Sequence, residues 1–202
     1  NLERLKVGDI CAFSSVTWST NVMPIIQLGL SPIPVDVNLS NLNVGSKEFL
    51  RTLSMYPNIK CLFITNILGF CSDIDKIREI CDEKKIILIE DNCESLGTEY
   101  KNKKLGNFGI ASTCSSFVGH HLSTIEGGTI STDDEELSNM LKIVRAHGWN
   151  RNLDSDLKVK MRKDNSISNF YDTYTFYDLA YNLRPSEING FLGRKQIKYI
   201  QG

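Results

Sequence analysis

The 202 residues carry 23 lysines and arginines against 24 aspartates and glutamates, a net charge of −1, with 41% hydrophobic and 23% charged residues. So even a balance offers no electrostatic footprint for nucleic acid and no polybasic anchor for a membrane surface. The composition is that of a folded globular chain, and no apolar run reaches the roughly 20 residues a membrane helix needs. Taken in chain order, short apolar runs alternate with amphipathic stretches. Residues 9–13 read as a strand, 19–29 as a helix ending at Gly29, 31–37 as a strand and 46–55 as a helix. Then come a strand over 59–65, a helix over 72–84 with Asp73 and Asp75 in its first turn, and a strand over 86–91. Acids there complement the helix dipole. After residue 107 the pattern changes to GIASTCSS, a loop and GGTIST, which predicts two further strands of the same sheet. A helix over 133–146, a long loop over 150–178 and a helix over 186–200 opened by Ser186 and Glu187 complete the reading.

Strands rich in Ile, Leu and Val alternating with helices of this length predict βαβ units, and hence a three-layer α/β domain with a largely parallel sheet. The cysteines (11, 61, 71, 81, 93 and 114) form no CxxC pair. They read as small buried hydrophobes of a reducing compartment, which points to the cytoplasm, and no metal site is expected from them. Ligands of such sheets sit beyond the carboxyl ends of the strands. That directs attention to Trp18, Asn66, Asp91 to Ser95, and Ser115 to His121. Asp91 ends a buried strand in IILIEDNCESLG, with Glu94 three residues on; it is either a structural cap or a carboxylate facing a cationic ligand atom. In SSFVGHHLSTIEGGTIS, His120 and His121 are adjacent on a connection where hydroxyls and backbone N–H groups suit a phosphate. Adjacent side chains on extended backbone point apart, which argues against shared metal ligation.

These segments, with GDICAFSSVTWSTNVMPIIQLGLSPIPVDVN, VRAHGWNRN and YNLRPSEINGFLGRKQI, occur in an order that resembles the DegT/DnrJ/EryC1/StrS family of pyridoxal-phosphate-dependent nucleotide-sugar enzymes. The resemblance spans nearly the whole chain. It implies the large domain of the aspartate aminotransferase fold (PLP fold type I). Relatives extend further at both ends, so residues 1–202 are expected to be the central part of that domain, without the N-terminal segment and the C-terminal small domain. The resemblance further implies that Trp18 stacks on the cofactor ring, Asp91 pairs with its ring nitrogen, and Glu94 lies near the ring hydroxyl. Ser115 is the implied phosphate ligand, joined by Asn182 reaching across from a partner subunit of a homodimer with shared sites, and Arg184 the implied contact for an anionic substrate group.

One position departs from the family's aminotransferases. Five residues after the serine they carry the lysine that tethers the cofactor; here that residue is His120. An imidazole cannot replace the amine as a tether but does move protons near neutral pH. His120 within GHHxSTIEGG resembles the sugar 3-dehydratase branch of the family. That branch implies 3-dehydration of a nucleotide-linked 4-keto-6-deoxy sugar, first of all GDP-4-keto-6-deoxymannose, as in dideoxysugar and O-antigen biosynthesis. Glutamate supplies the amino group, pyridoxal and pyridoxamine 5′-phosphate are the two cofactor forms, and ammonia is released. The alternatives are a nucleotide-sugar aminotransferase, the related CDP-4-keto-6-deoxyglucose 3-dehydratase with its iron–sulfur cluster, and an inactive sugar-nucleotide-binding relative.

Overall fold

The computed structural model describes residues 2–200. It divides into two compact units: residues 3–132 with 187–200, and residues 133–186 with Leu2.

The first unit is built on a six-stranded sheet. Its strands are β1 (Ile10–Ser14), β2 (Ser31–Val35), β3 (Ile59–Thr65), β4 (Ile87–Asp91), β7 (Ala111–Ser115) and β8 (Gly128–Ser131), in the order β2-β1-β3-β4-β7-β8. All pairs are parallel except β7 with β8. The sheet is thus largely parallel, as the alternating pattern predicts, with both late strands in it. Helices α1 (Ser19–Gln27), α2 (Ser46–Met55) and α3 (Ile74–Lys84) make the crossovers. The step from β1 to β2 runs one way along the sheet; the steps from β2 to β3 and β3 to β4 run the other. Crossovers of one hand place the helices of oppositely directed steps on opposite faces, and the reversal opens a crevice at the carboxyl ends of β1 and β3.

The packing follows that rule. Ala12, Leu62, Ile64 and Leu88 join Phe49 and Leu53 of α2 and Ile74, Ile77 and Cys81 of α3 in the larger core. Cys11 and Cys61, with Phe13, Ile87 and Ile89, turn to the other face and meet Ile25 of α1. Burying a side chain such as Phe49 or Leu62 stabilises by about 2–3 kcal/mol before conformational entropy is subtracted. Successive residues of β4 therefore face opposite sides, and its last two, Glu90 and Asp91, are carboxylates sent to different layers.

Several boundaries shift from the sequence reading. Helix α1 stops at Gln27, because Leu28 caps it and Gly29 turns away with φ +70°. A two-residue hairpin, β5 (Glu99–Tyr100) with β6 (Lys103–Lys104), was too short to carry a periodic signal. Helix α6 (Glu187–Gln196) gives way to a 3₁₀ turn at Ile197–Tyr199. All six cysteines are free; Cys11, Cys61 and Cys81 are buried, but Cys71, Cys93 and Cys114 sit at loop or strand ends and stay partly exposed.

In the second unit, α4 (Glu135–Val144) opens with Asp134 accepting from the Leu137 N–H, a side-chain N-cap. The predicted long loop over 150–178 is corrected here: it contains α5 (Ser155–Asp164) and a 3₁₀ turn at Asp172–Tyr174. Helix α5 buries no residue, so it has no apolar stripe to read; its support is local, with Asp156 in the first turn and Arg162 and Lys163 in the last.

Candidate active site

At the carboxyl end of β1 the chain turns through Thr17 and Trp18 into α1. Trp18 is the N-cap residue, its carbonyl accepts from the Asn21 N–H at 3.0 Å, and its indole is 74% exposed. One turn into the helix, Asn21 points inward and is 4% exposed. Its amide donates to Asp91 Oδ2 at 2.7 Å and to Thr65 Oγ1 at 2.8 Å, and the Thr65 and Thr17 hydroxyls lie 2.6 Å apart. Side chains from β1's exit, α1, β3 and β4 thus meet in the crevice that the topology creates.

Asp91 is 5% exposed. Its Oδ1 accepts from Thr113 Oγ1 on β7 and from the Cys93 N–H, both at 3.1 Å, and Oδ2 accepts from Asn21. Among the described residues every donor to it is neutral and no cation pairs with it. An ionised carboxylate has about four acceptor positions. N–H and O–H donors fill three and the weakly donating Cys93 thiol lies against the group as well, so its donors are all neutral, and a buried charge of this kind favours a cationic one. The two nearest thiols stay protonated at neutral pH. Burial, reinforced by the hydrogen bond to Asp91, pushes Cys93 up to about 12, and burial with the Asp91 charge raises Cys114.

Glu94 lies on the same turn, and its exposed carboxylate accepts from the Leu68 N–H at 3.2 Å, which ties it to the loop after β3. Asn66, at the end of β3, donates to Asn92 Oδ1 at 2.7 Å, and Asn92 donates to Ser112 Oγ at 2.9 Å, a buried polar layer beneath the turn. Ser95 Oγ donates to the Asn66 carbonyl at 2.6 Å.

The loop from β7 to β8 carries the histidines. Its base is closed by Ser116 N–H to the Gly127 carbonyl at 2.9 Å and Thr124 N–H to the Ser116 carbonyl at 2.8 Å, with the two hydroxyls 2.6 Å apart. Gly127 has φ +150°, and a Cβ there would come within 2.7 Å of both hydroxyl oxygens, so a side chain at this position would disturb the closure. Helix α6 braces the loop: Asn189 Nδ2 donates to the Thr124 and Glu126 carbonyls at 2.7 and 3.0 Å, and Gln196 Oε1 accepts from the Ser123 N–H at 2.9 Å. At the tip, the His120 N–H donates to the Phe117 carbonyl at 3.0 Å, and its half-buried ring meets Phe117 edge-on at 6.3 Å. His121 is exposed. Ser115 accepts the Phe117 N–H at 3.1 Å through its hydroxyl oxygen, and its own O–H has no acceptor among the described residues. Ser116, by contrast, is committed to closing the loop.

Trp18, Asp91, Glu94, Ser115 and His120 all belong to the first unit; Asn182 and Arg184 belong to the second. In that unit the strand-like passages around Ala146 and Asn182 pair antiparallel. Arg184 donates through Nε to Asn182 Oδ1 at 3.2 Å and lies 3.3 Å from His147 Nε2 through Nη2. Its guanidinium and that of Arg151 both lie over the Trp149 ring, at 5.6 and 3.5 Å from its centroid. No carboxylate pairs with Arg184 among the described residues. That leaves its charge available to an anion.

Sequence reasoning missed Asn21, Thr65 and Thr113. One signal was present: Asn21 and Ile25, four residues apart, are the two buried residues of α1, so a polar residue occupies its inward stripe. Among the described residues, no group of three or more His, Cys, Asp or Glu is placed to hold a metal ion, and no helix is long and apolar enough to cross a membrane.

The sequence pattern of the DegT/DnrJ/EryC1/StrS aminotransferase family matches residues 1–202. The chain belongs to this family. It is 40% identical over 197 residues to GDP-4-keto-6-deoxy-D-mannose 3-dehydratase of Escherichia coli O55:H7, covering 98% of this chain and 50% of that protein. The E. coli GDP-4-keto-6-deoxy-D-mannose-3-dehydratase with bound hydrated PLP superposes with a TM-score of 0.86 at 38% identity, over 100% of this chain and 51% of that one. GDP-4-keto-6-deoxymannose-3-dehydratase with a trapped PLP–glutamate geminal diamine gives 0.86 at 38%, over 98% and 50%. The fold is therefore that of the DegT/DnrJ/EryC1/StrS enzymes, the fold type I aminotransferase-like architecture. The chain spans about half the length of the curated relatives it matches.

Proposed function

We propose that this chain is part of a pyridoxal-phosphate- and glutamate-dependent 3-dehydratase that removes the C3 hydroxyl of GDP-4-keto-6-deoxymannose and releases ammonia. The observation that carries the reading is the loop between β7 and β8: it bears His120, and between Lys104 and Lys142 the sequence contains no lysine at all. The 40% identity with an E. coli 3-dehydratase supports the same substrate class.

The residues present fit the cofactor. Asp91, buried among neutral donors only, suits a protonated ring nitrogen, the exposed Trp18 offers an aromatic face, and the Ser115 O–H suits a phosphate oxygen. When bound, the cofactor supplies an electron-accepting ring that stabilises negative charge on the carbon attached to it. Asp91 holds the proton on the ring nitrogen and so keeps that acceptor strong. His120 takes the proton from the α-carbon of glutamate and the proton given up as the sugar C3 hydroxyl leaves. Glu94 lies toward the ring hydroxyl, Arg184 meets an anionic group of the substrate, and Asn182 completes the phosphate site of a partner subunit in a homodimer. Exposed Phe170, Tyr171, Leu179 and Leu183 on the second unit support such an interface. A cytoplasmic location accords with six free cysteines.

The test uses the full-length protein with pyridoxal phosphate, glutamate and GDP-4-keto-6-deoxymannose. One ammonia and one 2-oxoglutarate per 3-deoxygenated sugar are expected. A 4-amino sugar formed without ammonia would establish an aminotransferase and overturn the proposal.

A further inference from the structure

We infer that Asn21 is a positioning residue that holds the Asp91 carboxylate ionised and aimed, and so sets where the proton lies between Asp91 and a bound ring nitrogen. The inference rests on the cofactor reading above. Asn21 uses both amide N–H bonds, one on Asp91 Oδ2 at 2.7 Å and one on Thr65 Oγ1 at 2.8 Å. A rigid side chain fixed at two points cannot rotate its donor away from the carboxylate. Thr65 is in turn anchored by Thr17 Oγ1 at 2.6 Å, and its N–H donates to Ser14 Oγ at 2.9 Å, so the support reaches back into β1.

The chemistry depends on which atom the donor serves. Oδ1 takes the Thr113 hydroxyl and the Cys93 N–H, whereas Asn21 is the amide donor on Oδ2. Hydrogen bonds to a carboxylate favour its ionised form. Without Asn21, Oδ2 would lose its amide donor and compete better for a shared proton. The proton then moves from the ring to Asp91 and the ring becomes a weaker electron acceptor. The other ionisable groups interacting with Asp91 are the Cys93 and Cys114 thiols, which are neutral, while α1 and β3 present only Asn21 and Thr65. The backbone N–H of the same residue, which no side-chain substitution removes, also braces the aromatic position. Pro24 has no N–H to offer the Thr20 carbonyl, so the first turn of α1 lacks that helical bond. The turn is held instead by Asn21, whose N–H bonds the Trp18 carbonyl.

The experiment compares wild type with Asn21→Leu, which keeps the volume but not the donor, and with Asn21→Ala, in the full-length protein. Pyridoxamine phosphate labelled with ¹⁵N in the ring is titrated in and its nitrogen signal recorded, with thermal melting as a folding control. We expect pyridoxamine phosphate affinity to fall about tenfold in both variants. The ring nitrogen should move from the protonated toward the neutral signal, which a merely structural role would not cause. If only one variant folds, that one decides. Wild-type affinity and an unmoved nitrogen signal in a folded variant would overturn the inference. Asp91→Asn separates the two levels: if it loses affinity while the Asn21 variants do not, only the role of Asn21 is wrong; if it binds as wild type, the cofactor reading itself fails.

Discussion

Glu90 and Asp91 are neighbours in one strand, both buried and both without a cationic partner among the described residues, yet they sit on opposite faces of the sheet and are built differently. On the α2/α3 side, Glu90 is 0% exposed and has four donors: the Phe108 and Gly109 N–H groups on Oε1, and the Gly106 N–H and Asn92 Nδ2 on Oε2. On the α1 side, Asp91 has one backbone N–H, two side-chain donors from other elements and the weakly donating Cys93 thiol. A carboxylate held by backbone N–H groups pins a loop; one held mainly by side chains at the carboxyl edge of a parallel sheet is placed to meet a ligand. Burial alone would rank Glu90 as the more interesting residue. The kind of donor reverses that ranking, since three backbone N–H groups serve Glu90 and one serves Asp91.

Exchanging each charge for an amide is the strongest way to break this comparison. Asp91→Asn is expected to melt within a few degrees of wild type but to bind pyridoxal phosphate at least ~100-fold more weakly, since a buried charged pair loses one member. Glu90→Gln should do the converse. It places an N–H₂ group against backbone donors and costs about 3 kcal/mol of stability, measured by urea unfolding, with cofactor affinity in the folded fraction nearly unchanged. If both variants lost affinity and stability together, the division between the two faces would be wrong.

A smaller effect sharpens the same idea on a third carboxylate. Asp73 accepts the Ser46 N–H at 2.8 Å and the Ser46 hydroxyl at 2.6 Å, so it caps α2 from across a loop. Burial works to raise its pKa, but the side-chain and backbone hydrogen bonds of Ser46, joined by Asp73's own N–H and the Lys76 ammonium, together outweigh it and hold the group below the ordinary carboxylate value. A depressed folded pKa contributes stability that is present above the unfolded pKa and is lost as pH falls through the folded one. Asp73→Asn should therefore cost about 1 kcal/mol at pH 7. Unfolding curves at falling pH should show that difference shrink below the ordinary carboxylate range; a difference independent of pH would contradict the capping account.

The central strands were legible as short apolar runs, and the first three helices by a periodic apolar face, as Ile74, Ile77 and Cys81 form on α3. Helix α5 was not, since it packs no side chain away and a charged surface helix has no stripe. Asp91 and Ser115 were found by position, at the ends of strands, and His120 by its place in a motif. The amide and hydroxyls that orient Asp91 stayed invisible for a different reason. Asn21, Thr65 and Thr113 are 44 to 70 or 22 residues from their partners, and a polar residue on a helix or strand shows its purpose only when the facing side chain is known. That Asp91 is served mainly by side chains and Glu90 mainly by backbone N–H groups could not be read from the sequence either, because it depends on which loops and strands face each carboxylate.

The central claim is that an imidazole stands where a tethering amine would, so the cofactor is held by contacts alone. Its direct test is borohydride reduction of the full-length protein loaded with pyridoxal phosphate, followed by peptide mass spectrometry. Wild type should yield no pyridoxyl-modified peptide from residues 105–141, whereas His120→Lys should acquire one at residue 120. A stoichiometric pyridoxyl-lysine at any site of the wild-type protein would contradict the account.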